Sequence, residues 1–310
     1  MAAKQEKNRK PDWIRSKRGE AQRYWDAHPI AVDSVSYQPG TRESFEALSA
    51  RWSEGIDASR REFLESCRGK RVLEVGCGIA REGRFLVENG VDYRGVDYSL
   101  ASLRLASAHM IQRGLPARFA NADGTSLPFS DGCFDLVFSI GVVHHIPEVA
   151  RACQEIVRVT APGGSIRVMV YNRHSYHYLL VRYLVCPVIW LMTRVALLAG
   201  LANRGPTKLR DLYEIAVRDG YDRERILSAS TDTSSAGEGN YNPLSHFLTE
   251  REMREFFSEL GGHRFQRSDL KYFPLPFLRG LVEGRWGFFL TMTARTPAIG
   301  ARDAWAPPTR

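Results

Sequence analysis

The sequence predicts an α/β protein built on a mostly parallel sheet. Two observations carry this: between residues 71 and 171 short apolar runs alternate with stretches of helical periodicity, and the runs are apolar almost throughout instead of on every second residue. Strands that bury both faces need helices above and below them, and the crossovers between parallel strands supply those helices.

Taken in order, 71–75 is a first strand that ends in Gly76-Cys77-Gly78, and 80–89 is helical. Residues 93–97 form a second strand, and a helix over about 100–113 follows, with Ser99 as its N-cap. The third strand lies in 117–123, the fourth in 134–139 and the fifth in 166–171, with a helix over 148–159 between the last two. Upstream, Phe45, Leu48, Trp52, Ile56, Phe63 and Leu64 recur at mostly helical spacing, so 24–69 reads as a helical cap. Residues 1–23 are polar with a net charge of +5 and are expected to be a flexible basic arm. After Tyr171 the alternation stops. A long apolar run over 178–202, interrupted by Arg182, Pro187 and Arg194, gives way to a polar loop at 228–243. Thr249 and Glu252 have the spacing of a capping box and announce a helix over about 250–260. Residues 265–273 and 287–295 then close the fold as strands six and seven. The organisation expected is an arm (1–23), a cap (24–69), a core (70–171), an insertion that shapes a lid or pocket (172–248), a closing unit (249–295) and a tail (296–310).

Composition narrows the function classes. With 310 residues, 44% apolar and 25% charged, the chain is neither disordered nor fibrous. Cys67, Cys77, Cys133, Cys153 and Cys186 are odd in number and form no CxxC pair, which excludes a disulfide scaffold and points to a reducing cytoplasm, as does the lack of a recognisable signal peptide. The net charge of +8 is unevenly placed: 71–171 is neutral, while 172–230 carries +4. A neutral middle argues against gripping a nucleic-acid backbone. The basic ends fit an anionic membrane surface or an acidic ligand.

The chemistry concentrates at strand ends. Glycines after the first strand allow backbone to approach a ligand closely, and the next helix presents free N–H groups there. Asp97 stands 19 residues after Gly78, at the end of the second strand, where a carboxylate accepts the hydroxyls of a ribose. A dinucleotide fingerprint is excluded by spacing, since Gly76 and Gly78 are followed by Arg81 where a third glycine is needed. With Glu74-Val-Gly76-Cys77-Gly78, Asp97 and Ala122-Asp123-Gly124 in this order, residues 70–171 resemble the class I S-adenosylmethionine-dependent methyltransferases, in particular the group of ubiquinone- and menaquinone-type methylases. The resemblance implies a Rossmann-like, seven-stranded, mostly parallel sheet with helices on both faces, a helical N-terminal cap and a helical insertion after strand five. It also implies S-adenosyl-L-methionine as cofactor. Glu74, Gly76, Cys77 and Gly78 would shape the cofactor turn, Asp97 and Tyr98 the ribose site, Ala122, Asp123 and Gly124 the adenine site, and Ser139 and Ile140 the methionine end. Ala80 stands where the family often has glycine.

Methyl transfer from a sulfonium is a displacement at carbon that needs an aligned nucleophile and, for some acceptors, a base. His144 and His145 follow the fourth strand and are the base candidates; Tyr24, Tyr37, Tyr171 and Asn172 are acceptor-site candidates. No metal is expected, because His174 and His177 have no Cys, Asp or Glu set nearby. The 178–202 run is open to three readings: a buried lid or dimer contact, a peripheral membrane contact, or a span. The function expected is methylation of a small or lipophilic acceptor on O, N or C. The alternatives are a catalytically silent cofactor-binding scaffold and a membrane-surface protein that acts through the 178–202 helix.

Overall fold

The structure is a computed structural model that describes residues 2–29, 36–54, 58–195, 206–231, 241–270 and 273–298. The last seven residues of the 178–202 run, most of the 228–243 loop and the end of the tail lie outside the described residues.

Apolar runs that are buried on both faces become the centre of one sheet. Strand β1 (Arg71–Val75) pairs in parallel with β2 (Asp92–Asp97) and β4 (Phe134–Ile140); β3 (Phe119–Asn121) extends β2, and β5 (Thr160–Asn172) lies beside β4. The order is β3-β2-β1-β4-β5-β8-β7, where β8 (Phe289–Arg295) runs antiparallel between β5 and β7 (Gly261–Ser268). A two-residue strand, β6 (Phe247–Leu248), pairs in parallel with the far end of β5. Helices α4 (Arg81–Glu88), α5 (Leu100–Gln112) and α6 (Val149–Val159) are the crossovers. Ser99 caps α5 by accepting from the Ser102 N–H at 3.1 Å. The box at α10 (Glu250–Phe256) is closed in both directions, Thr249 Oγ1 accepting from the Glu252 N–H and Glu252 Oε2 from the Thr249 N–H.

Four expectations are corrected. Residues 2–27 form one helix, α1 (Ala2–Ala27), where 1–23 was expected to be an unstructured arm. The helix is tied down by polar contacts to the sheet end, which its own polar composition does not reveal. Strand β7 starts at Gly261 and stops at Ser268, because Asp269 takes a positive φ of 62° and turns the chain out of the ladder. Strand β5 begins at Thr160 and not at 166, taking in Pro162-Gly163-Gly164, and its pairing with β4 shifts register between Phe134 and Leu136. The helix expected over 250–260 ends at Phe256.

The cap continues with α2 (Arg42–Glu54) and α3 (Ala58–Glu65). After β5 comes a helix, α7 (Tyr176–Arg194), with a π-helical stretch at Val181–Val185, then α8 (Thr207–Arg218) and α9 (Arg223–Ala229). These build a second apolar cluster in which Tyr171, Val181, Ile189, Leu212, Ile215 and Leu227 meet. Helix α11 (Arg279–Trp286) packs beside β7.

Candidate active site

Parallel strands all end at one edge, and side chains just past those ends face a common crevice. Here the crevice is an open cleft lined from β1 by Glu74 to Gly78, from β2 by Asp97 and Tyr98, from the β3 end by Ala122, Asp123 and Gly124, and from the β4 end by Ile140 to Val142 and His145 to Pro147.

The glycine turn has a steric cause. Gly76 sits at φ 80°, and a Cβ there would stand 2.3 Å from a methyl of Val142. The turn continues through Gly78 at φ 53° and Ala80 at φ 55°, so the position where glycine is usual is left-handed in this chain too. The turn is then fixed by β2: the N–H groups of Gly76 and Cys77 both donate to the Val96 carbonyl, and the Gly78 N–H donates to Asp97 Oδ2 at 2.7 Å. Asp97 Oδ1 accepts from the Ser99 N–H at 2.8 Å. Burial raises the Asp97 carboxyl above its usual value, and the two backbone donors oppose that rise. Burial also pushes Glu74 up to about 8, although the Tyr93 hydroxyl donates to it at 2.6 Å.

Helix α1 supplies what sequence reading missed. Arg18, Ala21 and Trp25, spaced for one helical face, line the same cleft. Arg18 Nη1 donates to Asp123 Oδ2 at 2.9 Å, and its Nη2 reaches Thr125 and Glu148. At the other end of the contact Asp26 Oδ1 accepts from Ser99 Oγ at 2.8 Å and from the Ala101 N–H, joining α1 to the N-terminus of α5. The signal was the i, i+3, i+7 spacing of Arg18, Ala21 and Trp25, legible only once the arm is read as helix.

The two histidines separate in role. His145 lines the cleft beneath Trp25, ring centroids 5.2 Å apart. His144 is fully buried behind it, its ring tilted by 41° against that of Tyr171 with centroids 3.9 Å apart. The Nδ1 of His145 lies 2.8 Å from the Leu244 carbonyl, an acceptor, and 2.9 Å from Asn242 Nδ2, a donor, so these contacts fix the orientation of the ring and leave both tautomers a partner. The His246 N–H donates to the His144 carbonyl. The 242–246 segment therefore buttresses both histidines, a connection across about 100 residues that no local motif signals.

Not every expected residue reaches the cleft. Ser139 is fully buried and donates to the Val75 carbonyl at 2.9 Å, because β4 is covered on both faces. Asn172 is buried and donates to the Gly287 carbonyl, so it ties β5 to the loop before β8. Tyr171 packs behind His144, while Tyr37 is 53% exposed away from the cleft. Tyr24 packs edge-on against Trp25 without lining the cleft itself.

Residues 73–168 match the family described as a methyltransferase domain. Over that stretch the chain is similar to class I S-adenosylmethionine-dependent methyltransferases. The ubiquinone biosynthesis O-methyltransferase of Ralstonia nicotianae is 29% identical over 158 residues, covering 46% of this chain and 65% of that one. The chloroplastic tocopherol O-methyltransferase of Arabidopsis thaliana is 37% identical over 105 residues, covering 33% and 30%. The 2-methyl-6-phytyl-1,4-hydroquinone methyltransferase of a Synechocystis species is 30% identical over 162 residues, covering 49% and 47%. The matches thus span between 30% and 65% of these relatives' length. The cleft suits S-adenosylmethionine. Four acidic side chains, Glu74, Glu82, Asp97 and Asp123, and two arginines, Arg18 and Arg81, line one cleft whose walls are otherwise formed largely by Val75, Val96, Val142, Ile146 and Pro147, an apolar cleft with a few polar groups that suits a nucleoside.

Proposed function

We propose that this protein transfers the methyl group of S-adenosylmethionine to an oxygen of a small lipophilic phenol or hydroquinone. The observation that carries the reading is that one cleft holds both the carboxylates suited to the nucleoside and a histidine, His145, anchored through Nδ1 by Leu244 and Asn242. When bound, the cofactor supplies an electrophilic methyl carbon on a sulfonium. Asp97, with its oxygens already oriented by the Gly78 and Ser99 N–H groups, would accept the ribose hydroxyls, and Asp123 would accept the adenine amino group beside the Arg18 guanidinium. His145 would take the acceptor's hydroxyl proton on Nε2 as the oxygen attacks, with the Leu244 carbonyl holding Nδ1 of the ring. Trp25 and Ala21 roof the cleft and keep water from competing with the acceptor. The acceptor class follows the relatives, whose names include quinone- and tocopherol-pathway O-methyltransferases.

Calorimetric titration with S-adenosylmethionine and its demethylated product tests the first half of the reading, with Asp97→Ala as control. Micromolar binding that the variant loses is the expected result. Turnover with a panel of alkylated phenols and hydroquinones tests the second half. Binding without turnover on any phenol, aniline or carbon acid would make the chain a silent scaffold, and no binding would overturn the cofactor assignment.

A further inference from the structure

Helix α7 has two unlike faces, and the outer one is the unusual one. Val181, Cys186 and Ile189 pack against Leu212, Ile215 and Leu227 of α8 and α9. On the solvent side stand Tyr183, Leu184, Val188, Trp190 and Leu191, with Tyr183 69% exposed. A helix face in water normally carries charges of both signs. Here the chain has no Asp or Glu at all between Glu155 and Asp211, while eight Lys and Arg fall in that interval.

A second apolar ridge continues the face. Phe277 and Leu281, four residues apart, are 78% and 82% exposed. One turn further, Arg285 opens onto a basin of about 450 Å³ that it shares with Arg267, His174 and Leu179, the last on the first turn of α7. Edge-on packing of Tyr176 against Phe273, centroids 5.1 Å apart, joins the two regions. Arg267 is held by Glu250 at 2.6 Å, and its buried Nε has no hydrogen-bond partner among the described residues.

We propose that the outer face of α7 and the 277–285 ridge together dock on an anionic lipid bilayer. The charge pattern selects this occupant: an acid-free apolar helix, flanked by a basin with two arginines, complements lipid tails below and headgroup phosphates above. Tyr183 and Trp190 are the amphipathic aromatics that settle at such an interface. Arg194 lies over the ring of Trp190 at 5.8 Å, with a stem long enough to lift its charge to headgroup level, while Arg182, over the ring of Tyr178 at 5.9 Å, is paired with Glu224 at 3.2 Å. Tyr176–Arg194 has the length and composition to cross a membrane, but the stripe packed against α8 and α9 is not available to lipid, so the helix lies in the surface. Docking would bring the acceptor pocket to the phase in which a lipophilic phenol dissolves.

The test is sedimentation of the full chain with phosphatidylcholine vesicles, with and without phosphatidylglycerol. The expected result is binding to the anionic vesicles alone, weakening as salt rises, and quenching of tryptophan emission by brominated lipid that Trp190→Phe largely removes. Arg285→Ala lowers partition about fivefold, the effect of one basic side chain near an anionic surface, and Leu281→Asp lowers it further. Neither residue lines the cofactor cleft, so S-adenosylmethionine titration of both variants reports intact folding independently of lipid. Equal binding to both vesicle types, or none to either, overturns the proposal. A dimer that Leu184→Asp dissociates also overturns it and assigns the face to a second copy of the chain.

Discussion

Arg18 of α1 and Asp123 at the end of β3 meet through a 2.9 Å ion pair across 105 residues of sequence. Asp123 also accepts from the N–H and the hydroxyl of Thr125, both at 2.8 Å, so its carboxylate is fixed before any ligand arrives. The contact makes α1 a cover whose grip is felt at the adenine end of the cleft. Both side chains are about one quarter exposed, which limits the pair to about 1 kcal/mol. Arg18→Ala is therefore expected to speed release of the demethylated cofactor about fivefold in stopped-flow displacement. An unchanged release rate would show that α1 does not gate that end.

His145→Ala should lower kcat by roughly 10² to 10⁴ with little change in cofactor affinity, as loss of a general base does. Asn242→Leu should lower kcat more mildly, because the Leu244 carbonyl still holds Nδ1 of the ring. Steady-state kinetics with a phenolic acceptor checks both. A fall in cofactor affinity as large as the fall in kcat would recast His145 as a binding residue.

Protonation links the site to stability. Glu74 keeps its proton up to about 8 in the fold but loses it near 4.5 when unfolded, so above 4.5 the folded state binds more protons and stability falls as pH rises towards 8. His109 and His246 act in the opposite sense: burial lowers both from 6.5 to about 4, the unfolded state binds more protons between those values, and stability is lost as pH falls through that window. Two rising contributions against one falling one place the summed maximum of these three groups near 6.5, the upper end of the histidine window. Thermal denaturation from pH 5 to 8.5 should show this maximum, and Glu74→Gln should flatten the alkaline side. An unaltered alkaline slope in that variant would contradict the assignment.

Ala80 is buried at a left-handed φ of 55°, a conformation that costs an L-residue about 1–2 kcal/mol. Ala80→Gly relieves that cost and loses a buried methyl worth about 0.8 kcal/mol, so its melting temperature should stay close to that of the parent. Ala80→Val adds β-branching where it is least tolerated and should destabilise by roughly 2 kcal/mol or more. Denaturant titration of the pair separates backbone strain from packing. Gly76→Ala meets both problems, positive φ and Val142 at 2.3 Å, and should abolish cofactor binding in the same assays.

Legibility followed the range of the forces involved. The path from β1 through Gly76 to Asp97 was readable because strand, turn and acid lie within one crossover, and their residue types follow from local backbone needs. Helix α1 was not, since its polar sequence gives no apolar stripe and its position rests on Arg18 and Asp26 reaching distant partners. Ser139 misled because β4 buries alternate side chains to both sides, so a polar residue near the strand end can face β1 instead of the cleft. The buttress of His145 was invisible for another reason: the Leu244 carbonyl is backbone, and any residue at that position supplies it.

The antiparallel strand β8 sits between β5 and β7, pairing Ser165 with Arg295 and Tyr171 with Phe289. During synthesis β5 is therefore made well over a hundred residues before the neighbour that covers its edge. In that interval the emerging chain exposes an apolar strand, Ile166 to Val170, that is competent to pair with any other strand. That edge stays open from the moment β5 leaves the exit tunnel until Arg295 has followed it.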